Sequence, residues 1–168
     1  DQSMRVNNLA WSAETDRIAS LGRSPELELK LWKGASGELL ATVPMPDSCW
    51  RFAFSPDGQR LAFTADGVRL FDVRNRRFGR RLGVDSVDVA FSPDGRRLAT
   101  AGQDRTVRLW NLDTGEALLT FREPKNPVWA VCFSPDGRAL YAASDHGKDS
   151  VIHVWRAMTP EEVQLPLE

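Results

Sequence analysis

The pentapeptide FSPDG occurs at residues 54–58, 91–95 and 133–137, each time between two apolar runs. This repetition constrains the fold more than any other feature of the chain. Proline presets φ near −65° at the second position of a turn, aspartate suits the third, and glycine accepts the positive φ that lets two strands pair. The motif therefore predicts a hairpin turn written three times. Aligning on its serine gives Ser55, Ser92 and Ser134, and one further step back reaches Ser12 in LAWSAETDRIAS. From each serine to the next apolar anchor is six residues, at Ile18, Leu61, Leu98 and Leu140. The chain is thus a fourfold repeat with a period near 40 residues.

A second column confirms the alignment. LKLW, VRLF, VRLW and IHVW end at Trp32, Phe71, Trp110 and Trp155, alternate apolar with polar, and read as strands. A turn-like segment and a further short apolar run follow each of the first three. Repeats one to three supply four strands each and repeat four supplies three, so fifteen strands are expected and no helix within 6–156. TPEE at 159–162 reads as a capped start of a short helix or as a tail. Trp11, Phe54, Phe91 and Phe133, and likewise Trp32, Phe71, Trp110 and Trp155, are expected to be buried between repeats.

Composition excludes several classes. With 22 basic and 23 acidic residues among 168 the net charge is −1, which argues against a nucleic-acid binder. No apolar run is long enough to span a bilayer as a helix. The N-terminus lacks both a signal core and an initiator Met, so a cytoplasmic, processed or partial piece is expected. Cys49 and Cys132 fall at non-equivalent repeat positions and read as buried, reduced thiols. With only His146 and His153 for company they form no zinc pattern, and no cofactor is expected. The run RNRRFGRR places Arg74, Arg76, Arg77, Arg80 and Arg81 in one hairpin, read as a solvated loop before it is read as a grip for an anionic partner.

Four strands per period, turns of this kind and an aromatic closing the third strand make the chain resemble the WD40 β-propeller family. The resemblance covers 6–156 and is best in VDVAFSPDGRRLATAGQDRTVRLWNLDTGE. It implies an all-β fold of four blades, the last three-stranded, in an incomplete ring. The expected repeats are 6–46, 47–84, 85–124 and 125–158 of one domain over 1–158, with a tail at 159–168. The resemblance also implies a hydrogen-bonded set in each blade: Thr100, Asp104 and Trp110 in repeat three, and Asp149 and Trp155 in repeat four. Repeat one keeps Ser20 and Trp32 with Glu26, and repeat two has Asp66 and Phe71, while the histidine of the family pattern is missing from every connecting loop.

The same resemblance implies a binding face made by loops entering the first strands and by second-to-third-strand turns. That picks Asn7, Trp50, Val87 and Trp129, with Asn8, Arg51 and Asp88 beside them, and Gln103 and Lys148 next to the turn aspartates. The strongest candidates for a protein or peptide partner are Trp50, Arg51, Asp88, Gln103, Trp129 and Lys148. No phosphate loop, nucleophile elbow or metal motif occurs, so the implied function is a non-catalytic scaffold. The alternative is the sensory or scaffolding part of a larger signalling enzyme, such as a bacterial serine/threonine kinase. Four blades leave two faces for further blades or a second copy of the chain.

Overall fold

A computed structural model describes residues 5–23, 26–45, 49–65, 67–83, 86–122, 124–146 and 149–157. Blade one comprises β1 (Arg5–Ser12), β2 (Arg17–Arg23), β3 (Leu27–Lys33) and β4 (Leu39–Pro44). Blade two comprises β5 (Phe52–Phe54), β6 (Arg60–Ala65), β7 (Gly67–Asp72) and β8 (Arg77–Leu82). Blade three holds β9 (Asp88–Phe91), β10 (Arg97–Ala101), β11 (Val107–Asn111) and β12 (Ala117–Phe121). Blade four holds β13 (Val128–Phe133), β14 (Ala139–His146) and β15 (Asp149–Arg156). Each blade is an antiparallel meander in chain order. The fifteen expected strands are present, with no helix among the described residues. The proposed tail helix lies outside them.

The FSPDG motif forms the turn its chemistry predicts. Gly58, Gly95 and Gly137 adopt φ of 64°, 68° and 70°, where a β-carbon is strained. The serine, which sequence reasoning used only as a marker, is the hub of the turn. Ser92 Oγ accepts the Arg97 N–H at 2.9 Å and donates to Asp94, while Asp94 accepts the Arg96 N–H at 3.0 Å. Ser55 and Ser134 repeat this arrangement with Asp57 and Asp136. All three hydroxyls are buried, so the turn satisfies groups that would otherwise be costly to desolvate.

Blades stack through three cores. The first joins blades one and two around Leu21, Leu29, Leu61, Phe63 and Phe71. The second joins blades two and three around Ala62, Val68, Leu98 and Trp110. The third joins blades three and four around Ala99, Val107, Val131 and Leu140. The innermost strands meet in sequence, β1 with β5, β5 with β9 and β9 with β13. Polar links cross the same seams: Asn8 Nδ2 donates to the Trp50 carbonyl at 3.3 Å, and Asp88 Oδ2 accepts the Val131 N–H at 2.9 Å.

Burial of the expected aromatic core needs correction. Only Phe71 and Trp110 are buried outright, whereas Phe54, Phe91, Phe133, Trp32 and Trp155 are half-buried. Trp11 is 65% exposed. It points to the side on which Phe54, Phe91 and Phe133 each meet a preceding blade, and no described residue covers blade one there. Cys132 is likewise exposed rather than buried, on the opposite end of the stack. Cys49 is buried as expected, and burial pushes its thiol up to about 12.

The arginine hairpin is more than a solvated loop. Arg76 donates to the Leu40 carbonyl of blade one at 3.1 Å, and Arg80 donates to the Thr114 carbonyl of blade three. Two of its five guanidiniums thus tie the outer rims of three blades. That use depends on neighbours about 35 residues away in sequence and is invisible in the run itself.

Candidate functional site

The start of each inner strand lies on one face with the turns between second and third strands. Thr64, fully buried at the end of β6, builds the blade-two part of this face. Its hydroxyl accepts the Arg51 N–H at 3.0 Å, its amide donates to the Arg51 carbonyl at 2.8 Å, and its carbonyl accepts the Trp50 N–H at 3.3 Å. The backbone of Trp50 and Arg51 is therefore held from below while both side chains are exposed, the indole at 73%. Sequence reasoning did not single out Thr64; a β-branched hydroxyl ending the second strand was the available signal.

Asp88 occupies the corresponding place in blade three. Burial raises its carboxyl above the ordinary value, opposed by the Val131 and Val89 amides and by the charge of Arg51. A single carboxylate thus joins the first strands of blades three and four and feels a guanidinium of blade two. Trp129, at the start of β13, sits in a β-bulge between Val128 and Ala130 and is 48% exposed. Bulges re-aim side chains, and this one puts an indole on the surface.

The turn carrying Gln103 reaches the same neighbourhood, since the Gly102 carbonyl accepts the Val128 N–H at 3.2 Å. Gln103 is exposed. Asp104 works inside its own hairpin, accepting from the Thr106 hydroxyl at 2.7 Å and from Arg108 at 2.7 Å. Partial burial raises its carboxyl, yet those donors outweigh it and hold the value below the usual range. Lys148 and Asp66 lie outside the described residues, as do the side chains of Asn7, His146 and Asp149. Trp50, Arg51, Asp88, Gln103 and Trp129 thus fall on one face across blades two to four.

The aromatic-to-hydroxyl links of the expected hydrogen-bonded set are present. Trp110 Nε1 donates to Thr100 Oγ1 at 3.1 Å, and Trp32 Nε1 donates to Ser20 Oγ at 2.8 Å. Asp104 remains with Thr106 and Arg108. His153 lies on β15, with Nε2 3.0 Å from Ser144 Oγ and its ring stacked on Trp155. Among the described residues no three His, Cys, Asp or Glu side chains group as metal ligands, and no helix is long and apolar enough to cross a membrane.

Comparison with known proteins finds repeats of one family in the second half of the chain. The WD40 family (WD domain, G-beta repeat) matches residues 79–111 and 115–156. Each matched segment begins at or near an outer strand and ends on the third strand of the next blade, so the family's sequence unit is offset by one strand from the structural blade. A WD repeat-containing protein SL1-17 from Schistosoma mansoni is 37% identical over 87 residues, covering 52% of this chain and 28% of that protein. Eukaryotic translation initiation factor 3 subunit I from Aspergillus fumigatus is 37% identical over 102 residues, covering 51% of this chain and 29% of the relative. The same subunit from Scheffersomyces stipitis is 45% identical over 47 residues, 28% of this chain and 13% of that protein. The chain spans under a third of the length of these relatives. All three are eukaryotic, and the expected bacterial type finds no support in them.

Proposed function

For a chain that carries WD40 repeats, we propose the role of a non-catalytic scaffold that takes a protein or peptide partner on the face of Trp50, Arg51, Asp88, Gln103, Trp129 and Lys148. The carrying observation is Trp50: an indole 73% exposed on a backbone fixed by a fully buried threonine. Exposed, pre-positioned Trp and Arg side chains supply most of the binding energy at protein interfaces, because little conformational freedom remains to be lost. Asp88 adds a carboxylate whose burial favours a cationic or hydrogen-bond-donating group opposite it. One relative is by name a subunit of a translation initiation factor, which supports a place in a multiprotein assembly.

The test is quantitative affinity capture with the wild-type chain against Trp50→Ala, Arg51→Ala and Trp129→Ala. A partner bound on this face is expected to lose about thirtyfold or more in affinity with Trp50→Ala, corresponding to about 2 kcal/mol at a hot spot. Circular dichroism of the variants should be unchanged. Partners captured equally by all four proteins would overturn the assignment of the face.

A further inference from the structure

At the end of the blades opposite Trp50, where first strands turn into second and third into fourth, the seam between blades one and two breaks the repeat pattern twice. In the β2–β3 register Arg17 stands directly opposite Lys33. The same position holds Arg60 opposite Asp72 in blade two and Arg97 opposite Asn111 in blade three. Like charges facing each other across a strand pair are unfavourable. Among the described residues neither side chain of the blade-one pair makes a hydrogen bond or ion pair. The second break is Arg76, whose φ is 52°. Gly37 and Gly115 fill that place in blades one and three, at 68° and 75°. Left-handed backbone suits glycine and strains a residue that carries a β-carbon.

The two departures meet in one cleft. Arg17, Arg74 and Arg76 line a space of about 190 Å³ between the rims of blades one and two, over an apolar floor of Leu31, Leu40 and Val73. Arg74 stands where blade one has Ala35 and blade three has Asp113. Its guanidinium makes no hydrogen bond or ion pair among the described residues. Arg76 commits one N–H to the Leu40 carbonyl, which fixes its guanidinium at the cleft and leaves further donors. The carboxylates of the adjoining turns are engaged locally. Asp16 accepts the Ala35 N–H at 3.0 Å, and Asp72 accepts the backbone and side-chain amides of Asn75 at 2.7 and 3.0 Å.

We propose that this cleft docks a short acidic segment of a protein partner, with carboxylates on Arg17, Arg74 and Arg76 and an aliphatic side chain on the floor. Guanidiniums take carboxylates through paired N–H groups, and no carboxylate of the chain itself lines the cleft. The floor selects for more than charge, because a bare inorganic anion would leave Leu31, Leu40 and Val73 uncovered. Asp16, Asp57 and Asp72 share this end of the blades and repel an extended polyanion or an anionic lipid surface. The cleft is separate from the face of Trp50 and Asp88 and goes beyond the scaffold reading of that face.

Fluorescence anisotropy tests it with the chain and two labelled, terminally blocked probes, the peptide Leu-Glu-Leu-Glu-Leu and its glutamine counterpart. The glutamate probe is expected to bind at least about tenfold more tightly than the glutamine probe. Arg17→Gln and Arg74→Gln should each weaken it about fivefold or more, with unchanged circular dichroism. Arg76→Gly suits the backbone at that position, keeps the fold and should weaken the probe as well. Arg77→Gln, exposed on the same hairpin but outside the cleft, and Trp50→Ala should stay within about twofold of wild type. Equal affinity for the two probes, or equal losses at Arg77→Gln and Arg74→Gln, overturns the proposal. So does displacement of the probe by inorganic phosphate far beyond chloride of the same ionic strength, which marks a site for inorganic anions. Binding of phosphatidylserine vesicles that Arg74→Gln abolishes would assign the cleft to a lipid surface instead.

Discussion

Phe133 and Trp11 hold the same position in their repeats and have opposite surroundings. Phe133 lies at the seam between blades three and four, where the Arg97 guanidinium sits 5.7 Å over its ring and Arg97 also donates to the Gly137 carbonyl at 3.4 Å. Nearby, Phe121 of blade three stacks on Trp155 of blade four with ring centres 4.4 Å apart. Among the described residues Trp11 meets no preceding blade, and it is 65% exposed. The strand's alternation decides which way such a side chain points; the neighbouring blade decides whether it is buried.

The largest expected effect separates seam from end most sharply. Phe71→Ala empties a fully buried site and should destabilise by about 3–5 kcal/mol in a urea titration. Trp11→Ala at nanomolar concentration should stay within about 0.5 kcal/mol of wild type, as for other exposed sites. A loss at Trp11 equal to that at Phe71 would break the comparison.

Next comes the polar anchor inside a blade. Thr100→Val leaves the buried Trp110 indole N–H without its acceptor and should lower stability by about 1–3 kcal/mol. Ser20→Ala removes the equivalent acceptor from Trp32, which is half-buried in the end blade and closer to water, so its loss should be smaller. Equal losses would mean the end blade is as dry as the interior.

The pH dependence is weaker and has two signs. Hydrogen bonds from Ser55, Ser92 and Ser134 hold the turn carboxyls of Asp57, Asp94 and Asp136 below their ordinary values. Their contribution is present above the usual carboxylate range and is lost as pH falls through the lowered values. Asp88 is raised by burial, so its contribution is present at low pH and is lost as pH rises through the raised value. Asp94→Asn should therefore flatten the acid limb of a stability–pH curve, and Asp88→Asn should steepen it. The smallest effect is expected at Arg108→Ala, which removes a partly exposed pair with Asp104 and should change stability by less than about 1 kcal/mol.

What could be read from sequence was local. The SPDG turns and the strand count rest on residues within one hairpin, where turn chemistry and alternation speak directly, and the Trp110–Thr100 link, also within one hairpin, came from the family resemblance. What could not be read depended on neighbouring blades. Arg76 and Arg80 find carbonyls on two other blades, Cys132 is exposed where no described residue packs against it, and Asp88 gains its partner from β13. The candidate face was legible as positions, since every repeat places the same positions there. Its chemistry was not, because Thr64 and the bulge at Trp129 act through backbone geometry that no residue pattern displays.

Hydroxyl-radical footprinting of the tryptophans at nanomolar concentration tests most directly the claim that packing against a neighbouring blade, not the repeat position, sets burial. Trp11 and Trp50 should be modified rapidly while Trp110 is protected. Trp110 reacting as fast as Trp11, or Trp11 protected in the dilute chain, would contradict the account.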